Sequence, residues 1–204
     1  MSITDRDSLK TSITDTLERS DMASYLDLMI QLAEGYLRTE PRLMVREAET
    51  TVTLTPSSGV VTLPTDFGGF REAWASTSPV ADLQLVEPSV LRRDYPSTAA
   101  STPYVCSIVG SEMTIRPTTT SDISLIYYRK LAPLSASVTT NWLLGAFPHV
   151  YHLACLVQSE AFNVNDVRLA TWGALLDTAL ARIKDADMLQ RFGRVRSRVK
   201  GATP

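Results

Sequence analysis

Histidine and cysteine are nearly missing from this chain, two of each in 204 residues, and that scarcity removes most of what a small enzyme draws on. His149 and His152 lie one helical turn apart and Cys155 one turn further on. That spacing converges on zinc only if more ligands come from elsewhere. No Cys-x-x-Cys pair or His-Glu-x-x-His helix is present, so a metal is rejected and the histidines are read as structural groups at a helix start. No Gly-x-Ser-x-Gly elbow occurs. Asp66-Phe67-Gly68-Gly69-Phe70 lacks the closing Gly-Lys-Ser/Thr of a phosphate loop and reads as a turn joining two strands. Asp185 and Asp187 read as a solvated helix end. Cys106, in a strand pattern, and Cys155, on the apolar side of a helix pattern, are expected as buried free thiols, with a single disulfide between them as the alternative. No catalytic, cofactor or metal site is read from these residues. No apolar run approaches the roughly 18 residues of a membrane span, and Met1 to Asp7 has no hydrophobic signal core, so export by the usual route is not expected.

Acids are absent from the last stretch. Arg191, Arg194, Arg196, Arg198 and Lys200 hold five of the 20 basic residues, so the other 15 meet all 22 acids and the rest of the chain carries a formal charge of −7. This argues against a nucleic-acid binder over its whole surface. From Arg194 to Lys200 the cations alternate with Val195, Ser197 and Val199. Extended, such a segment sets four cations on one face and two valines on the other. Residues 191–204 are therefore read as an extended basic C-terminal arm. Its candidate docking residues are Arg191, Phe192, Arg194, Val195, Arg196, Arg198, Val199 and Lys200. Two kinds of partner suit it: an acidic protein surface reached by strand addition, or nucleic-acid phosphates.

What is present is an α+β pattern. Thr4, followed by Asp5 and Asp7, predicts a helix start, and Leu9, Ile13 and Leu17 recur every four residues. After a break at Ser20-Asp21, Met22, Tyr25, Leu26, Met29, Ile30, Ala33, Tyr36 and Leu37 follow the helical series and stop before Pro41. These two helices are expected as an α-hairpin. Glu49 to Thr55 and Val60 to Leu63 read as a β-hairpin about Pro56–Gly59, and Phe70 to Ala75 as another strand. A short helix follows Pro88; Tyr104–Val109, Met113–Arg116 and Ile123–Lys130 complete an antiparallel set. Helix returns over about Phe147–Phe162, with Asn141 and Pro148 as start signals and Val150, Tyr151, Leu153, Ala154 and Val157 as its buried face. Asp166 is placed to cap a last helix whose buried stripe is Val167, Ala170, Ala174, Leu175, Ala179 and Ile183. The expected core sets Leu26, Met29, Ile30, Ala33 and Leu37 against Leu153, Val157, Leu175 and Ile183. The domain reading is a helical bundle of two N-terminal and two C-terminal helices (1–46 and 138–190), a central antiparallel β-rich insertion (47–137) and the arm (191–204).

The order of Tyr127-Tyr128-Arg129-Lys130, then Thr140-Asn141-Trp142-Leu143-Leu144, then Phe147-Pro148-His149-Val150-Tyr151 resembles the head-to-tail adaptor proteins of tailed bacteriophages. The likeness extends more loosely to nearly the whole chain. Leu63 to Phe67 is similar to a Leu-Pro-x-Asp-Phe run that closes a hairpin in that family. The resemblance implies a structural, non-catalytic protein without cofactors. It implies a homo-oligomeric ring, about twelve copies because a ring stacked on the portal inherits its symmetry. That ring would sit between the portal protein and tail or tail-nozzle proteins in the virion neck, continuing a channel through which DNA passes without sequence-specific binding. Before assembly the protein would reside in the host cytoplasm as a monomer, and the basic arm would dock on the portal. The alternative is a nucleic-acid-binding module that uses the arm as its contact.

Overall fold

The computed structural model describes residues 2–159 and 168–192. It is α+β and divides into two compact units, one drawn from the described parts of Met1–Glu47 and Pro133–Pro204, the other from Ala48–Ala132.

The first unit is helical: α1 (Arg6–Leu17), α2 (Leu26–Arg38), α4 (Trp142–Ala146), α5 (Pro148–Gln158) and α6 (Arg168–Phe192). Asp5, rather than Thr4, caps α1. Its carboxylate accepts the Ser8 amide at 2.8 Å while the Ser8 hydroxyl accepts the Asp5 amide at 3.0 Å, closing a capping box. A 3-10 segment, Ser20–Tyr25, replaces the polar break before α2. Asn141 caps α4 through the Leu144 amide, and Pro148 takes the first turn of α5, where its missing N–H costs nothing. α1, α2, α4 and α6 all pack on α5. A helix so surrounded must be apolar nearly all round, which is why Val150, Tyr151, Ala154, Cys155 and Leu156 are buried while Leu153 and Val157 are half-buried. The α-hairpin expected for α1 and α2 is not what forms. Asp27, in the first turn of α2, pairs with Arg6 and Lys10 in the first half of α1, so the two N-terminal halves lie together. An antiparallel hairpin would instead bring Asp27 to the last turn of α1.

The stripe expected on α6 is rotated. Trp172, Leu176, Leu180 and Ile183 are its buried apolar side chains, Ile183 as expected, whereas Leu175 is 50% exposed and Ala170 and Ala174 face solvent. Apolar residues occupy more than one face of this helix, so periodicity alone selects the wrong one. Val167 and Asp166 lie outside the described residues.

The second unit holds eight strands: β1 (Glu49–Leu54), β2 (Val60–Thr62), β3 (Phe67–Ala75), β4 (Ala81–Asp82), β5 (Gln84–Leu85), β6 (Val105–Val109), β7 (Glu112–Arg116) and β8 (Ile123–Arg129), with helix α3 (Pro88–Asp94) between β5 and β6. They form two sheets, ordered β1-β8-β3-β4 and β2-β7-β6-β5. β1 and β2 do not pair with each other. β1 runs antiparallel to β8, with Thr51 opposite Ile126, and β2 to β7, with Val61 opposite Met113. Pro56–Gly59 is thus a crossing between sheets, and Leu63 to Phe67 is a second crossing rather than a hairpin closure. The middle third is not wholly antiparallel, since β5 and β6 run parallel. Ala73, Ala75, Ile123, Leu125 and Tyr127 of one sheet share a single apolar core with Val61, Cys106, Met113 and Ile115 of the other. Gly68 is required where β3 bulges against β8, because a Cβ there would stand 2.8 Å from the Tyr128 carbonyl oxygen.

Candidate functional site

Two buried carboxylates organise the helical unit. Glu34 of α2, 3% exposed, accepts the Tyr151 hydroxyl of α5 at 2.5 Å and the Leu134 amide at 2.6 Å. Asp187 of α6, 6% exposed, accepts the Arg46 amide at 2.9 Å and pairs with Arg191 at 2.6 Å. Burial alone would raise the Asp187 carboxyl, but the Arg191 guanidinium and the Arg46 amide outweigh it and hold it below the usual carboxylate range. Asp187 is therefore a buried ligand of the backbone, not the solvated helix end expected of it. Periodicity hid it because one turn separates it from Ile183 on the same stripe.

Burial holds several other groups in their uncharged forms. Burial pushes the Cys106 thiol up to about 12 and the Cys155 thiol higher still, and both cysteines are free. Burial also lowers His152, opposed by the Ser12 carbonyl; its Nε2 lies 3.3 Å from that oxygen and 3.3 Å from the Thr16 hydroxyl. Tyr127 is raised to about 12, by burial first and then by its bond to Asp66 at 2.7 Å. Such groups hold structure. No candidate metal cluster occurs among the described residues, nor is any helix among them long and apolar enough to cross a membrane.

The surface offers contact rather than chemistry. Tyr25, Leu28, Leu32 and Tyr36 are each 40–45% exposed. At 3.6 residues per turn Leu28, Leu32 and Tyr36 fall within an arc of about 80° on α2, with Tyr25 at its N-cap, beside the face of Leu26, Met29, Ile30, Ala33 and Leu37 that is buried. Tyr25 and Tyr36, read from the sequence only as following the helical series, complete this outer stripe. Leu28 and Leu32, which do not fit the inner series, were the available signal. On α6, Leu175, Met188 and Leu189 are also half or more exposed. A groove of about 480 Å³ runs between α5 and α6, floored by Leu153, Leu175, Ala179 and Ile183 and edged by His149 and Arg182. Of the arm residues, Arg191 is drawn into the last turn of α6 by Asp187 and Phe192 ends that helix. Residues 193–204, with Arg194, Val195, Arg196, Arg198, Val199 and Lys200, lie outside the described residues.

The sequence pattern of the SU10 adaptor protein family matches residues 4–198 of the chain. No curated protein matches it.

Proposed function

Because the chain belongs to the SU10 adaptor protein family, a phage head-to-tail adaptor family of the virion neck and not an enzyme family, we propose that it assembles as a closed ring between portal and tail, continuing the DNA channel. The ring has about twelve copies, matching the portal on which it stacks. One observation carries this: α2 is apolar on two adjoining faces, one buried and the other left about 40% exposed at Leu28, Leu32 and Tyr36. An exposed stripe of two leucines and two tyrosines is the composition of a subunit contact, with aromatic residues at its ends. The acidic remainder of the chain suits a conduit along which DNA slides without adhering.

Free in the host cytoplasm the protein is monomeric, and the ring closes on the portal. The basic arm supplies the hook, with Arg194, Arg196, Arg198 and Lys200 against acidic portal surface and Val195 and Val199 on the opposite edge. Arg191 serves the body instead, so the cut that tests the arm falls after Phe192. Deletion of residues 193–204 should leave the melting temperature of the body nearly unchanged while abolishing attachment to DNA-filled heads. Truncated protein that still yields tailed particles overturns the arm assignment. Titration with duplex DNA separates the alternative: an adaptor binds it weakly, whereas a nucleic-acid module using the arm binds strongly, with affinity falling steeply as salt rises.

A further inference from the structure

The outer face of the β6–β7 hairpin carries a pocket. Alternation along these strands sends Cys106, Met113 and Ile115 into the shared core. The opposite face pairs Val105 with Arg116 and Ser107 with Thr114. Helix α3 packs on β6, with its Leu91 buried. Between α3 and the two strands lies a cavity of about 360 Å³. Leu91, Pro96 and Val109 give it apolar walls; Arg92, Arg116, Ser107 and Thr114 give it donors; no carboxylate lines it.

Two details make this more than a surface dimple. Ser107 is 1% exposed, and its hydroxyl has no hydrogen-bond partner among the described residues. Buried hydroxyls are nearly always paired, because stranding one gives up its bond to water for nothing. Neither Arg92 nor Arg116 forms an ion pair among the described residues; Arg116 donates only to the Ile115 carbonyl, at 3.0 Å. Donors without acceptors call for an anion. Its class follows from the surroundings. Glu87 flanks the first turn of α3, Asp94 ends that helix and Glu112 opens β7, so the elements that line the pocket also carry acids, which disfavours a polyanion such as a nucleic-acid backbone. The apolar walls match the methylene stem of a carboxylate side chain, which a bare phosphate lacks.

We propose that this pocket binds a single carboxylate side chain, a glutamate or aspartate presented by a protein partner. Arg92 and Arg116 supply the charge, and Ser107 and Thr114 donate their hydroxyls. The β-rich unit thereby becomes a third contact point, independent of the α2 stripe and of the basic arm.

The test uses the full chain, labelled for NMR and titrated with a blocked Ala-Glu-Ala peptide, a blocked Ala-Gln-Ala peptide and inorganic phosphate. The expected result is a saturable shift of the Ser107, Thr114 and Arg116 amides with the glutamate peptide alone. Arg116→Gln should weaken it by about tenfold or more, and Ser107→Ala by about threefold to tenfold, as loss of charged and neutral hydrogen bonds does. Arg92→Gln, at an exposed position, provides the charge test if Arg116→Gln fails to fold. Ser107→Ala should also keep or raise the melting temperature, because it deletes an unpaired buried hydroxyl; a merely structural serine would show the reverse. The proposal is overturned if the pocket amides do not move, if the glutamine peptide or phosphate binds as tightly as the glutamate peptide, or if Ser107→Ala lowers stability and leaves binding intact.

Discussion

The helical unit and the β-rich unit solve the same problem in different ways. The β-rich unit is one continuous stretch, Ala48–Ala132, and its strands catch one another through ladders and a shared apolar core. The helical unit is assembled from two stretches separated by that insertion, and its buried charged side chains among the described residues are Glu34 and Asp187. Both spend a carboxylate oxygen on a backbone amide at a seam: Arg46, just before the chain leaves the helical unit, and Leu134, just after it returns. Continuity lets a unit rely on sheet pairing. A discontinuous unit needs side chains that reach from one stretch to the other, and a buried carboxylate that accepts an N–H forms a strong, oriented bond.

The comparison breaks first, if it is wrong, at Asp187. Asp187→Ala removes the partner of Arg191, 10% exposed on its side chain, and the acceptor of the Arg46 amide. Losing one member of a buried pair costs about 3–5 kcal/mol. Hydrogen exchange should show the loss in α5 and α6 but not in β6 and β7; equal loss in both units would mean that Asp187 serves the whole chain. Core truncations come next. Ile30→Ala and Ile115→Ala, at 2% and 0% exposure, should each cost about 2–5 kcal/mol in urea unfolding, each mainly in its own unit. Leu153→Ala, half-buried beside the α5–α6 groove, should cost less than either.

Acid sharpens the contrast further. The folded pKa of Asp187 lies below its ordinary 3.8, so its stabilisation is complete above that value and is lost as pH falls through the folded value. His152 is lowered from 6.5. Below pH 6.5 the unfolded chain takes the proton first, and stability declines until pH has passed the folded value. Both groups sit in the helical unit, so circular dichroism at 222 nm should decay on acidification before the amides of β6 and β7 lose protection. His152→Gln should flatten the part of that decay just below pH 6.5. The smallest stability effect belongs to the outer stripe. Leu28→Glu and Leu32→Glu should change monomer stability by no more than about 0.5 kcal/mol, yet mass photometry with portal-bearing heads should show no ring. A ring that forms normally with both charges in place removes α2 from the interface.

Local signals were legible in the sequence, and long-range ones were not. The stop before Pro41, the cap at Asn141, the start at Pro148 and the short helix after Pro88 each depend on a few adjacent residues, and each is present. The strand segments were legible for the same reason. Their partners were not: proximity in sequence favours joining Glu49–Leu54 to Val60–Thr62, whereas β1 finds β8 some 70 residues away. The face of α6 was misjudged because Leu175 and Leu176 are equally apolar and only packing tells them apart. Glu34 left a faint trace, a carboxylate directly after Ala33 on an apolar helix. Ser107 left none, because an unpaired hydroxyl is a property of its surroundings rather than of the chain.

The bonds at Arg46 and Leu134 also have a mechanical meaning. Tension applied to Ala48–Ala132 must enter the helical unit through its two connecting segments. Each is caught within two residues of the crossing by a side chain rooted in a long helix, α6 for one and α2 for the other. Tension is thus handed to two helices at once, both packed on α5, instead of unzipping one end residue by residue. Cutting either tie should shift the weak point to the cut side, so that Glu34→Leu and Asp187→Ala would yield under tension at opposite ends of the same insertion.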